Sequence, residues 1–187
     1  MAKTVRTQLG LLVTALALTG CAESAKPPSA NGGIFRQKNE GYSILYKLMT
    51  QESDVAKIFI IKHASDQVGD VVKQVAATCQ AAKAQMDEFP KKDKRVEYDV
   101  PDLPFIEQGS RDLAQKADTK ALLGRSGKEF ELELVFTQAQ AMMYAHDVCE
   151  ALASDEDDPL RKTFLTDLST QCGRLADSLM QLLEVKS

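Results

Sequence analysis

Val68, Val72, Val75, Cys79, Ala82, Met86 and Phe89 recur at alternating intervals of four and three residues. At 3.6 residues per turn this spacing returns all seven side chains to one side of a helix. It is the seam of a helix packed lengthwise against other helices. A stripe this long cannot be left in water, so the chain is constrained to be an assembly of helices buried against one another. Ser65 stands where a cap belongs, and Pro90 followed by Lys91-Lys92-Asp93-Lys94-Arg95 reads as a solvated exit, since cations suit a helix C-terminus.

The flanking segments supply the partners. Tyr42 to Ala64 reads as one helix with Leu45, Leu48, Val55 and Phe59 on a stripe. Glu52 falls on that stripe, where a carboxylate is costly unless paired. It either reaches solvent at the helix edge or meets His146, a lysine or an arginine inside. Val96 to Pro104 should be extended around Pro101 and Pro104, followed by a helix from Phe105 to Leu123 with Gly124 beyond its end. Ser126-Gly127-Lys128-Glu129 has the spacing of a capping box and opens a helix to about Ala153. That helix is apolar on two stripes and should be the most buried. Asp158 and Pro159 are N-cap and first-turn residues of a last helix, with Leu160, Phe164, Leu168, Leu175, Leu179 and Leu182 inward. The acidic run Asp155-Glu156-Asp157-Asp158 lacks the alternation and glycine of a calcium loop, and reads as compensation of the helix dipole. The expectation is an all-α, four-helix bundle over 41–187, with a long, partly helical crossover between its second and third helices.

The first 40 residues are of another kind. Lys3 and Arg6 precede an apolar run from Leu9 to Leu18, about half the length needed to span a bilayer. Leu18-Thr19-Gly20-Cys21 resembles the bacterial lipobox. The resemblance implies a signal peptide over 1–20, cleavage before Cys21 and acylation of Cys21, whose several chains would hold the protein to a membrane. Ala22 in place of an aspartate points to the outer membrane, with the domain facing the periplasm. Pro27-Pro28 and Gly32-Gly33 mark 21–40 as lipidated cysteine plus flexible tether.

The chain has 23 basic and 27 acidic residues, a formal net charge of −4. Without Lys3 and Arg6 the mature chain is more acidic still, which argues against a nucleic-acid partner. Three cysteines remain beside the acylated one. Cys149 and Cys172 lie at different levels of the last helical hairpin, so all three are expected as free, buried thiols.

The order of elements, with Leu122-Leu123-Gly124, then Gly127-x-Glu129-Phe130 and Ala145-His146, resembles the secreted bacterial ferritin-like domains of unknown function, over about Gly41 to Leu183. The resemblance implies a ferritin-like bundle and no particular activity. Members often carry Asp-His pairs on the second and third helices, whereas the second helix here has no histidine. Three residues before His63 and His146 stand Ile60 and Met143, so the Glu-x-x-His of a di-iron site is missing.

One constellation remains. Met143, His146 and Cys149 stand at i, i+3 and i+6, and thioether, imidazole and thiol are ligands that select copper(I). The same residues are also ordinary core and boundary filler. The leading expectation is a non-enzymatic, lipid-anchored binding or structural module of the cell envelope with an envelope-protein partner and no cofactor beyond its lipid. The alternative is soft-metal binding, storage or sensing of copper.

Overall fold

The computed structural model describes residues 30–99 and 105–186, and the described residues are helical with no strand. The elements are α1 (Ala30–Glu52), a 3-10 segment (Val55–Ile60), α2 (Asp66–Met86), the single turn α3 (Phe89–Lys92), α4 (Phe105–Gly124), α5 (Gly127–Asp155) and α6 (Pro159–Lys186). The predicted lipobox residues Leu18, Thr19, Gly20 and Cys21 lie outside the described residues.

The seam behaves as its spacing dictates. All seven of its residues are buried, from Val68 to Phe89. They face a core shared by α1, α2, α5 and α6, with α5 and α6 in the most extensive contact. Burying each large apolar side chain contributes roughly 1.5–3 kcal/mol, so this face alone fixes where α2 sits. The helix stops at Met86, and Pro90 lies in the first turn of α3.

Three expectations are corrected. The first helix does not run from Tyr42 to Ala64. It begins at Ala30 and ends at Glu52, before the 3-10 segment. Its end follows from Ser53 Oγ donating to the Thr50 carbonyl at 2.8 Å, a local bond that competes with the helical ladder. Its early start places residues 30–40, expected in the tether, in a helix. Lys38 and Asn39 are buried there. Lys38 Nζ reaches Asp157 at 2.8 Å, and Asn39 bonds the backbone of Arg95 and Glu97. Those partners are 119, 56 and 58 residues away, beyond the reach of local sequence reasoning.

The capping box does not close. Ser126 is the N-cap of α5 but makes no side-chain cap hydrogen bond, and Gly127 takes φ +55, a conformation that favours glycine. At α6 the cap forms as expected: Asp158 Oδ1 accepts from the backbone N–H of Leu160 and Arg161 at 3.0 and 2.9 Å. Leu160, expected inward, is exposed. It stands in the first turn of α6, where Arg161 and not Leu160 takes the buried position.

α1 approaches α5 closely at Gly41, where a Cβ would stand 2.7 Å from Leu152 Cδ2. α4 is different from the other long helices. Nearly all its described side chains are exposed. Among the described residues no helix is long and apolar enough to cross a membrane.

Candidate functional site

The α5–α6 turn, the corner after α3 and the first half of α1 meet at one end of the core, around a charged group that the helical stripes do not announce. Arg161, in the first turn of α6, is only 8% exposed, and Glu156, in the turn before it, 4%. The guanidinium grips the carboxylate in a forked pair, Nε to Oε2 at 3.1 Å and Nη2 to Oε1 at 3.0 Å. Tyr42 of α1, also buried, donates its hydroxyl to Glu156 Oε2 at 2.5 Å. The third nitrogen, Nη1, donates to Asp93 Oδ2 at 3.2 Å, and Asp93 is also gripped by Arg95 at 2.9 Å. A fork of this kind satisfies two charges that would be prohibitive to bury alone.

The electrostatics follow. Burial works to raise the Glu156 carboxyl, but hydrogen bonds from Arg161, Tyr42 and the Asp158 N–H outweigh it and hold the group at about 2. Hydrogen bonds from Arg95 hold Asp93 well below the usual carboxylate range. Burial, then Glu156, pushes the Tyr42 hydroxyl upward. Each shift locks a group into the charge state it already has near neutral pH. The network is therefore a brace, tying α1, the α3 corner and α6 into fixed relation.

Beside the brace lies a cleft of about 530 Å³ between α2 and α6. Its floor is apolar, with Ala82, Phe89, Phe164 and Leu168, and Phe89 packs edge-on to Phe164 at 5.2 Å. Its rim carries Glu88, Asp93, Asp158 and Asp167 against Lys92 and Arg161. A cleft of this size and make-up suits binding: an apolar body with a few polar groups that orient.

The residues singled out from sequence separate. Residues three apart on a helix regress by about 60°, so Met143 and Cys149 diverge by about 120°. Met143 is 52% exposed and Cys149 is fully buried. His146, between them, is half-buried and turned to α6, its Nδ1 2.8 Å from Ser169 Oγ and 3.1 Å from the Ser169 carbonyl. Its Nε2 lies 3.6 Å from Glu150. The three side chains do not converge on one point. Among the described residues no group of three or more His, Cys, Asp or Glu is placed to hold a metal ion.

Glu52 is half-buried and hydrogen-bonded to Gln138 of α5, not to His146 or a cation. Burial raises its carboxyl, and Gln138 offsets only part of the shift. Gln138 Oε1 is left without a partner. Cys79, Cys149 and Cys172 are free and buried, as expected. Burial pushes all three thiols up, Cys172 to about 12, so they are inert as nucleophiles.

Tyr42, Asp93, Glu156 and Arg161 were not legible as a site. The one signal was the acidic run Asp155–Asp158, read as dipole compensation. Asp158 plays that part, whereas Glu156 turns inward because Arg161, one and a half turns on, is there to receive it.

Comparison of the chain with protein-family models, with curated proteins and with solved structures gave no match.

Proposed function

We propose that this protein is a lipid-anchored, non-enzymatic binding module of the bacterial envelope, ferritin-like and four-helical in architecture, that takes an envelope partner in the α2–α6 cleft. The observation that carries the reading is the cleft beside a fully ion-paired brace. A binding surface benefits from walls that do not reorganise on contact, and Arg161 holds one wall of this cleft to the α3 corner. The shifts at Glu156, Asp93 and Tyr42 run away from neutrality, which suits a scaffold better than proton transfer. Anchoring rests on Leu18-Thr19-Gly20-Cys21.

Two experiments test it. Cys21→Ala should leave the chain unprocessed or move it from the membrane to the soluble fraction; normal lipid labelling of that variant rejects the anchor. A photo-crosslinking residue at Gln171, on the cleft, should capture one discrete envelope protein in cells, and the same residue at exposed Lys73 should not. Equal labelling at both positions rejects the cleft as the binding face.

A further inference from the structure

The two walls of the α2–α6 cleft run antiparallel. Asp93 meets Arg161, and Phe89, four residues earlier, meets Phe164, three residues later. Along the α6 wall Leu160, Thr163, Asp167 and Gln171 recur at steps of three and four. Thr78, Ala82, Gln85 and Phe89 do the same on the other side. From Leu160 to Gln171 the α6 wall is about 17 Å long at 1.5 Å per residue, three turns of helix. Two ridges at helical spacing with an apolar trough between them form the groove into which another helix packs.

The backbone decides between a helical and an extended occupant. Along the walls the amides and carbonyls are spent inside the helices. At the start of α6, Asp158 takes the N–H groups of Leu160 and Arg161, and at the end of α2 the Met86 carbonyl accepts from the Tyr98 hydroxyl at 2.7 Å. The cleft therefore has no edge with which a strand could pair. An extended segment laid in it would lose water at its backbone and gain no hydrogen bond in return. A helix brings its backbone bonds with it.

The lip and the rim set the chemistry of that helix. Leu160 lines the mouth of the cleft at 75% exposure, one turn before Phe164 of the floor, so the apolar floor extends to an uncovered side chain. Most rim charges are answered within the chain: Glu88 by Lys91 at 2.6 Å, Asp93 by Arg95 and Arg161. Two are not. Asp167 on the α6 wall, and Lys92 of α3 on the opposite wall, are exposed and make no ion pair among the described residues. With Asp93 level with Arg161, they stand about one to two turns apart along the cleft.

We propose that the partner enters this cleft as an amphipathic α-helix of about three turns. Its apolar face lies on Leu160 and Phe164, a basic side chain meets Asp167, and an acidic one, one to two turns along and on the other flank, meets Lys92. The proposal rests on the reading of the cleft as the partner site.

The test places a photo-crosslinking residue at Thr163, Gln85 or Gln171 of the full chain in cells and sequences the captured peptide by mass spectrometry. All three positions are exposed on the cleft. Thr163 and Gln171 are about 12 Å apart along α6. On a partner helix they should label residues seven to nine apart in one segment, with the Gln85 product between them. On an extended segment, at about 3.3 Å per residue, the labels would fall three or four apart. Asp167→Lys and Lys92→Glu should each lower capture at Gln171 at least threefold, and the same kind of reversal at exposed Lys116 of α4 should not. Labels three or four apart, or capture indifferent to both reversals, overturns the proposal and leaves the cleft as the partner site. Capture only of a second copy of this chain also overturns it. No capture from any of the three positions rejects the cleft itself as the binding face, and this proposal with it. Unchanged circular dichroism of each variant checks that the fold is intact.

Discussion

Removing Arg161 should do more damage than removing its partner, and should change how the protein responds to acid. Arg161→Met keeps much of the side-chain volume but leaves Glu156, 4% exposed, with a charge answered only by Tyr42 and one backbone N–H. Breaking a buried pair in this way costs about 3–5 kcal/mol. In a domain of this size each kcal/mol moves Tm by roughly 2–4 °C, so the loss should be visible as a fall of about 6–20 °C. Glu156→Gln should cost less, because Arg161 keeps Asp93 at 3.2 Å and Asp158 at 3.9 Å. The double variant should regain part of the loss, having no unanswered buried charge. The acid response gives the second readout. Glu156 titrates at about 2 in the fold against 4.5 ordinarily. At 1.36 kcal/mol per pH unit the depressed value contributes about 3 kcal/mol, fully present above pH 4.5 and lost as pH falls towards 2. In Arg161→Met burial dominates, the carboxyl rises, and that loss should shrink or reverse. Urea unfolding at pH 7, 4 and 3 measures both effects. A loss under 1 kcal/mol at pH 7 with an unchanged acid slope would refute the view of Arg161 as the brace.

Val75→Asp puts a carboxylate at a fully buried seam position, and should unfold the domain or lower its Tm by more than 10 °C in calorimetry; an unchanged Tm would mean that α2 does not face the core this way. Cys79, Cys149 and Cys172 should resist a thiol reagent in the native protein and all react in unreduced, denatured protein; fewer than three reactive thiols would mean that a disulfide joins two of them. Anaerobic copper loading followed by elemental analysis should give the same metal content for the native chain and His146→Ala, since Met143 and Cys149 point apart; a His146-dependent copper ion would show that α5 rearranges to gather them.

What the sequence determined by itself is the set of faces that periodicity encodes. The α2 seam, the helix from Phe105, and the Asp158-Pro159 start of α6 are local signals, written in spacing and in cap chemistry, and all three stand in the structure. Periodicity also marked Phe164, Leu168, Leu175, Leu179 and Leu182 as inward, and they are buried. What only the tertiary structure decided is the fate of polar residues. Gly32-Gly33 made the chain before Tyr42 look like tether, yet a helix starts at Ala30 and carries Lys38 and Asn39 into contacts with the α5–α6 turn and the α3 corner. Met143, His146 and Cys149 look like one face until helical rotation carries the first outward and the last into the core. Glu156 and Arg161 sit among charged neighbours that stay in water, and nothing in their spacing sets them apart. They turn inward because Tyr42 and Asp93, each more than 60 residues away, complete their hydrogen bonds. An apolar side chain is buried wherever its face points, whereas a charge is buried only where distant partners meet it, and those partners are assembled only by the fold.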